Sequence, residues 1–154
     1  MTLVEIRKQN RITQKEAADM VGIPYRTYVR YEENNNTSSY KYQKILDDLV
    51  NKLKVDETHG LLSFINIKEA LLPILVKHHI DYCYLFGSYA KGTAREDSDV
   101  DLLVDTDITG LKFFNLIEEM RNALCKKVDL LRLKDLRSDN PIVLEILKTG
   151  KRII

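Results

Sequence analysis

The sequence predicts an α+β fold, with an all-α bundle at the N-terminus followed by a small domain in which helices flank a mixed sheet. Residues 1–54 show helical periodicity interrupted by turn residues, whereas runs rich in Val, Ile, Leu and Tyr appear only after residue 80. Between them, the polar stretch 55–60 ends in Gly, which is typical of a linker. We therefore expect two domains, residues 1–56 and 66–154, joined by a linker at 57–65.

Length and composition exclude several classes of protein. The chain has 154 residues, 44% of them hydrophobic, and no apolar run approaches the ~18 residues of a membrane span. Lys and Arg number 24 against 23 Asp and Glu, which excludes binding to nucleic acid by bulk charge alone. Cys83 and Cys125 lack metal-site spacing, and no secretory signal is visible. We expect a cytoplasmic protein with no membrane partner and two reduced, buried thiols.

Four helices are predicted in the N-terminal domain. The second begins at a capping box, Thr13 with Glu16, and stops at Gly22, where a left-handed residue can end it. A short helix, a glycine turn and a further helix form a helix-turn-helix. The four helices cover about Leu3–Gln9, Gln14–Met20, Pro24–Glu33 and Tyr40–Leu53.

The third helix is predicted to present a polar face. Tyr28 and Tyr31 are three residues apart, share one face and should point into the core. The residues then left to point outward are Tyr25, Arg26, Thr27 and Arg30.

The stretch EIRKQNRITQKEAADMVGIPYRTYVRYEE resembles the Cro-type (XRE) helix-turn-helix family. The resemblance implies DNA binding, with Arg26 and Tyr25 towards base edges, Gln14 and Arg30 towards phosphates, and Thr27 on the same face. Because a single module would bind weakly, we expect a dimer on a palindromic site. Because the chain is almost neutral, docking of a protein by this module stays open as an alternative.

Three strands alternate with helices in the second half. The first helix is predicted to start at a capping box, Asn66 with Glu69, and Pro73 inside it allows a kink. The strands are expected at Tyr82–Phe86, Asp99–Val104 and Val128–Leu131, with further helices at Leu111–Lys126 and from Asn140 to about Gly150.

Acidic residues in the second and third strands suggest a metal site. Asp99 and Asp101 alternate with apolar residues, so their carboxylates share one face, roughly 6–7 Å apart. A divalent cation would relieve their repulsion, and Mg²⁺ prefers one or two carboxylates plus phosphate oxygens. If the third strand lies beside the second, Asp129 completes a three-acid cluster that could hold two ions.

A phosphate-binding segment precedes these acids. Gly87 allows the backbone to approach a ligand closely, and Ser88 can offer an amide and a hydroxyl to phosphate oxygens. Lys91 is near enough in sequence to neutralise charge on the same triphosphate. These are the parts that nucleotidyl transfer needs.

The string FGSYAKGTAREDSDVDLLVD, with Gly-Ser, ten residues and Asp-x-Asp, resembles the nucleotidyltransferases of the DNA polymerase β superfamily, and the short domain matches the minimal nucleotidyltransferase (MNT) group. The resemblance implies that Asp99, Asp101 and Asp129 are the catalytic, Mg²⁺-binding residues, and that Gly87 and Ser88 hold the phosphates. Lys91 stands where many relatives have Arg. An ammonium group lacks the planar fork with which a guanidinium binds phosphate through two hydrogen bonds.

Minimal nucleotidyltransferases are typically encoded beside a HEPN-family toxin. The resemblance therefore implies an antitoxin that moves AMP from ATP to a tyrosine of that toxin, binds its operator, and forms a homodimer or a hetero-oligomer with the toxin. Two alternatives stay open. One is a DNA-binding antitoxin that neutralises by contact, with a silent nucleotide pocket. The other is nucleotidyl transfer to a small molecule, which fits poorly because only 25 residues follow Asp129.

Overall fold

The computed structural model describes all 154 residues and divides into two compact units, Met1–Lys54 and Val55–Ile154. The first unit is entirely helical and the second combines helices with a four-stranded sheet, so the predicted α+β class is confirmed. None of the helices has both the length and the apolar character that crossing a bilayer requires. The domain bounds at 56 and 66 stay predictions.

The first unit contains four helices: α1 (Leu3–Gln9), α2 (Gln14–Val21), α3 (Tyr25–Asn34) and α4 (Tyr40–Leu53). The predicted capping box of α2 is confirmed, because the Thr13 hydroxyl accepts from the Glu16 amide and the Glu16 carboxylate accepts from the Thr13 amide. Gly22 ends α2 at a φ of 68°.

An ion pair joins α1 to α3 inside the first unit. The Arg7 guanidinium donates to both carboxylate oxygens of Glu32, with Nη2 at 2.7 Å from Oε1, and Glu32 is only 6% exposed. Burial alone would raise the pKa of Glu32, but hydrogen bonds from Arg7 and Gln14 outweigh it and hold that pKa below its usual value. Tyr28 is fully buried and Tyr31 partly buried in the core, as predicted.

The second unit is built on a mixed sheet with strand order β3-β2-β1-β4. β1 runs antiparallel to β2 and β4, whereas β2 and β3 are parallel. β4 was not predicted because two residues carry no periodicity. The elements are α5 (Phe64–Lys77), β1 (Cys83–Phe86), α6 (Gly87–Lys91), β2 (Val100–Val104), α7 (Gly110–Leu124), β3 (Val128–Arg132), α8 (Pro141–Thr149) and β4 (Lys151–Arg152).

The two faces of this sheet are covered unequally. α5 and α7 bury the main core against one face, through residues such as Leu85, Leu102 and Leu130. The other face carries a small cluster of Phe86 and Leu103 with Ile146 of α8. This thin cover leaves polar residues of the second face accessible, which is where the candidate site lies.

Two local predictions for this unit are wrong: the capping box at Asn66 and the burial of Cys125. The cap of α5 is Ser63, whose hydroxyl accepts from the Asn66 amide, so Asn66 lies in the first turn and does not cap the helix. Pro73 lies inside α5, which spans Phe64–Lys77 as one helix, so the helix does not restart there. Cys125 is exposed, since it ends α7 in the left-handed region, whereas Cys83 is buried and burial raises its thiol pKa to about 12.

Candidate active site

The sheet brings the predicted acids together. In the parallel pairing, Asp101 of β2 lies opposite Asp129 of β3, so the third strand does lie beside the second. Asp99 immediately precedes β2, and its charge acts on Asp101, so the two carboxylates lie close together. Phe86, the last residue of β1, is the antiparallel partner of Asp101. The carboxylates therefore lie where β1 ends and the other two strands begin.

Burial and neighbouring negative charges both disfavour the ionised form of Asp101. Its pKa is raised to about 6, first by burial and then by the negative charges of Asp129, Asp99 and Glu145. The Lys91 ammonium acts in the opposite direction. Asp99 and Asp129 themselves are exposed. One partly buried carboxylate thus lies among several accessible charges, an arrangement that attracts a cation.

Gly87 lies against the Asp101 carboxylate. Its φ is +71°, and a Cβ atom built there would overlap the Asp101 Oδ2 atom. The short helix α6 begins at this residue and ends before Gly92, itself at a φ of +73°. Ser88 is consequently held one residue from the point where backbone and carboxylate meet. Only glycine satisfies both the backbone angle and the close approach.

The structure adds Glu145 of α8 to the site. Its Oε1 atom forms an ion pair with Nζ of Lys91, and its charge contributes to the raised pKa of Asp101. Lys91 therefore already has a partner in the protein alone. No spacing signal in the sequence pointed to Glu145, since a single acid in an amphipathic helix is typical of a solvent-facing position.

Lys126 supports the loop that leads into Asp99. Its side chain is fully buried, and Nζ donates to the backbone carbonyls of His59, at 3.1 Å, and Glu96. The amide of Gly60 also donates to the Glu96 carboxylate, at 3.3 Å. A buried ammonium needs such acceptors. The sequence suggested nothing of this, because adjacent lysines before a strand normally face solvent.

The carboxylates fit a hard divalent cation, but only in part. No three or more His, Cys, Asp or Glu side chains are arranged as a preformed metal centre. Mg²⁺ commonly takes one or two carboxylates and completes its shell with water and substrate phosphates, so a preformed protein cage is not required. The roles assigned to Asp99, Asp101, Asp129, Gly87, Ser88 and Lys91 stay predictions that this arrangement supports.

The predicted DNA-facing residues occupy mixed environments in the first unit. Tyr25, Arg26 and Arg30 are exposed on α3, and Thr27 is partly buried. Gln14 is held by two hydrogen bonds: its amide donates to Glu32 Oε1 at 3.3 Å, and its carbonyl accepts from the Tyr25 hydroxyl at 3.4 Å. The DNA contacts of these residues stay predictions.

We expect Gly87→Ala to destabilise the second unit, because the new Cβ overlaps the Asp101 carboxylate in addition to the strained backbone angle. The loss in free energy of unfolding should be about 3 kcal/mol, of the size caused by overpacking. Gly92→Ala is the matched control, since it has the same backbone strain but open space around the Cβ. Equal losses for the two variants in denaturant unfolding would contradict the close approach.

We expect Asp101→Asn to raise the thermal unfolding midpoint at pH 7.5 in metal-free buffer. The folded-state pKa of about 6 lies above the usual range, so the ionised carboxylate opposes folding at higher pH and the neutral acid does not at pH 4. The gain should therefore shrink towards pH 4. Asp105→Asn, at an exposed position, should change little. A lower or unchanged midpoint for Asp101→Asn would be evidence against the repulsion.

Known proteins resemble part of this chain in sequence. A protein of Methanocaldococcus jannaschii, named as a candidate protein adenylyltransferase, is 38% identical over 72 residues, which cover 42% of this chain and 72% of the relative. The protein adenylyltransferase MntA of Thermococcus cleftensis is 46% identical over 56 residues, 35% of this chain and 57% of the relative. This chain therefore spans about half to three quarters of such relatives.

A solved toxin-antitoxin structure with AMP-PNP is 25% identical, covers 56% of this chain and 72% of its own, and has a TM-score of 0.48. The family models divide the chain as the compact units do. Residues 3–49 match the helix-turn-helix model, and residues 69–154 match the model for polymerase β nucleotidyltransferases. More than half of the chain lies in the second match, and the chain therefore belongs to the polymerase β nucleotidyltransferase family, with a helix-turn-helix module at its N-terminus.

Proposed function

We propose that the protein is an antitoxin that transfers AMP from ATP to a tyrosine of a HEPN-family toxin. The observation that carries this proposal is the register of Asp101 against Asp129, with Gly87 pressed against the Asp101 carboxylate. It is supported by relatives that are named protein adenylyltransferases, and by residues 69–154, which include these positions and match the polymerase β nucleotidyltransferase model.

The transfer is a single displacement at phosphorus. The acceptor hydroxyl oxygen bonds to the α-phosphorus of ATP, the bond from that phosphorus to the bridging oxygen breaks, and pyrophosphate leaves. The hydroxyl proton passes to an accessible carboxylate of the cluster, for which Asp129 is suited by its exposure. Gly87 and Ser88 hold the phosphate oxygens through backbone amides and the Ser88 hydroxyl.

We propose that Asp99, Asp101 and Asp129 hold Mg²⁺, as one or two ions. The hard carboxylate oxygens suit this cation, and the raised pKa of Asp101 reflects a surplus of negative charge at the same place. When bound, Mg²⁺ supplies charge neutralisation for the triphosphate and polarises the reacting phosphoryl group.

A protein acceptor suits the open face of the sheet. Only α8 and the small cluster around Ile146 cover that face, so little of the chain is available to enclose a small acceptor. A folded partner that presents a tyrosine at the carboxylates could complete the cleft. We therefore rank the toxin above a small molecule as the acceptor.

The reaction is tested with the purified protein, ATP labelled on the α-phosphate, Mg²⁺ and the HEPN protein encoded beside it. Label should enter a tyrosine of the HEPN protein, and the double variant Asp99→Asn with Asp101→Asn should transfer at least ~100-fold more slowly, as expected when reacting groups lose their positions. The matched control is Asp105→Asn with Asp107→Asn, two exposed acids beyond the opposite end of β2.

Two outcomes would contradict this function. Absence of label in the toxin rejects the transfer, and equal labelling by the Asp99 and Asp101 double variant rejects the site. If that double variant transfers nothing but still neutralises the toxin, antitoxicity comes from contact, which was the principal alternative.

We also propose that α3 of the first unit reads operator DNA. The match to the helix-turn-helix model and the exposure of Arg26 and Arg30 support this role. The Gln14 side chain, fixed by Glu32 and Tyr25, is positioned at the start of α2, where phosphates are usually contacted. With a net charge of +1, binding should depend on a dimer and weaken steeply with salt.

DNA binding is tested with duplex DNA taken from upstream of the gene. Arg26→Ala should lower the affinity about 10-fold and reduce discrimination between sequences, as expected for a base contact. Arg30→Ala should weaken binding to all DNA sequences alike. It should also make the affinity less dependent on salt concentration, by the amount expected for the loss of about one phosphate contact. Lys52→Ala, in the last turn of α4 outside the helix-turn-helix, is the control. Unchanged affinity for both arginine variants would exclude α3 as the reading helix.

A further inference from the structure

The ion pair between Lys91 and Glu145 has an unusual place in the candidate site. Lys91 is the cation that acts against the raised pKa of Asp101, and its Nζ is paired with Oε1 of Glu145. Glu145 belongs to α8, whereas Lys91 ends α6, which starts at the predicted phosphate-binding residues. The pair therefore joins two elements across the face of the sheet where the nucleotide is proposed to bind.

The charges around Asp101 show what this pairing does. Four carboxylates, those of Asp99, Asp101, Asp129 and Glu145, accompany one ammonium group. Three of them have a proposed metal role, and Glu145 has none. It nevertheless pairs with Lys91, the cation that acts on Asp101 and that is proposed to meet the triphosphate. The Lys91 side chain is 42% exposed and that of Glu145 29% exposed, so the pair lies near solvent, where ion pairs are weak and can open.

We propose that Glu145 is a positioning residue that holds Lys91 in the nucleotide-free protein, so that a triphosphate must take Lys91 from Glu145 in order to bind. This inference rests on the proposed nucleotide site, and it adds that the ion pair lowers the affinity of that site for nucleotide. A ligand with several negative charges can compete for Lys91, whereas a weakly charged one cannot. Glu145 thereby raises the threshold for occupancy and favours a nucleoside triphosphate over neutral or singly charged ligands.

Nucleotide binding measures this competition directly. With a non-hydrolysable ATP analogue and Mg²⁺, and without any acceptor protein, Glu145→Gln should bind the analogue about 3- to 5-fold more tightly than the wild type, the range expected for release of one exposed ion pair. Lys91→Met should bind more weakly. Glu118→Gln provides the matched control, since it removes a charge from α7 on the opposite face of the sheet.

A double variant separates competition from simple repulsion between Glu145 and the phosphates. If Glu145 acts through Lys91, the gain from Glu145→Gln disappears in the Lys91→Met background. If the gain persists there, Glu145 repels the phosphates directly and the proposal is wrong. Glu145→Asp keeps the charge but shortens the reach to Lys91, so it should show part of the gain, and it also serves if Glu145→Gln proves unstable.

Failure of this inference can be told apart from failure of the proposed function. If the wild type labels the toxin but Glu145→Gln binds the analogue no better, only the role of Glu145 is rejected. If neither the wild type nor any variant binds the analogue, the nucleotide site and the role of Glu145 are rejected together.

Discussion

The partly buried carboxylate of Asp101 is the constraint on which the second unit depends. It lies opposite Asp129 in the parallel pairing, two residues from Asp99, and against the backbone of Gly87. Burial and like charge raise its pKa to about 6, so the site is unfavourable for folding when all the acids are ionised. A fold that keeps this arrangement accepts a loss of stability at the place where a cation and phosphates would bind, as functional sites commonly do.

The rest of the second unit makes this arrangement rigid. α5 and α7 bury a large apolar core on one face of the sheet, so the strand register that brings the acids together cannot slip without exposing that core. Gly87 lets the chain turn directly beneath Asp101. Lys126 then ties the loop before Asp99 to the segment around His59 through two backbone carbonyls. Core packing, the turn at Gly87 and the buried ammonium of Lys126 therefore all help to position the acidic cluster.

In the first unit, by contrast, the buried acid is neutralised by a basic partner. Its buried acid, Glu32, is fully paired with Arg7, and its pKa is lowered instead of raised. Removing one partner from such a pair is strongly destabilising. The same carboxylate accepts from Gln14, which in turn accepts from Tyr25, so a buried pair orients a side chain at the proposed DNA-facing surface. The nearly neutral chain thus combines an acidic cluster in the second unit with a surface in the first unit that carries Arg26 and Arg30.

Local patterns in the sequence determined the helices of the first unit, the Thr13 cap, the Gly22 turn and the strands with their acids, because each depends on neighbouring residues alone. The order Gly87, Ser88, Asp99 and Asp101 also indicated the chemistry of the site. Only the tertiary structure decided that Asp101 faces Asp129, that Glu145 holds Lys91, that Lys126 is buried and that Cys125 is exposed. These facts arise from residues distant in sequence that the sheet and α8 bring together, and no local pattern encodes such contacts.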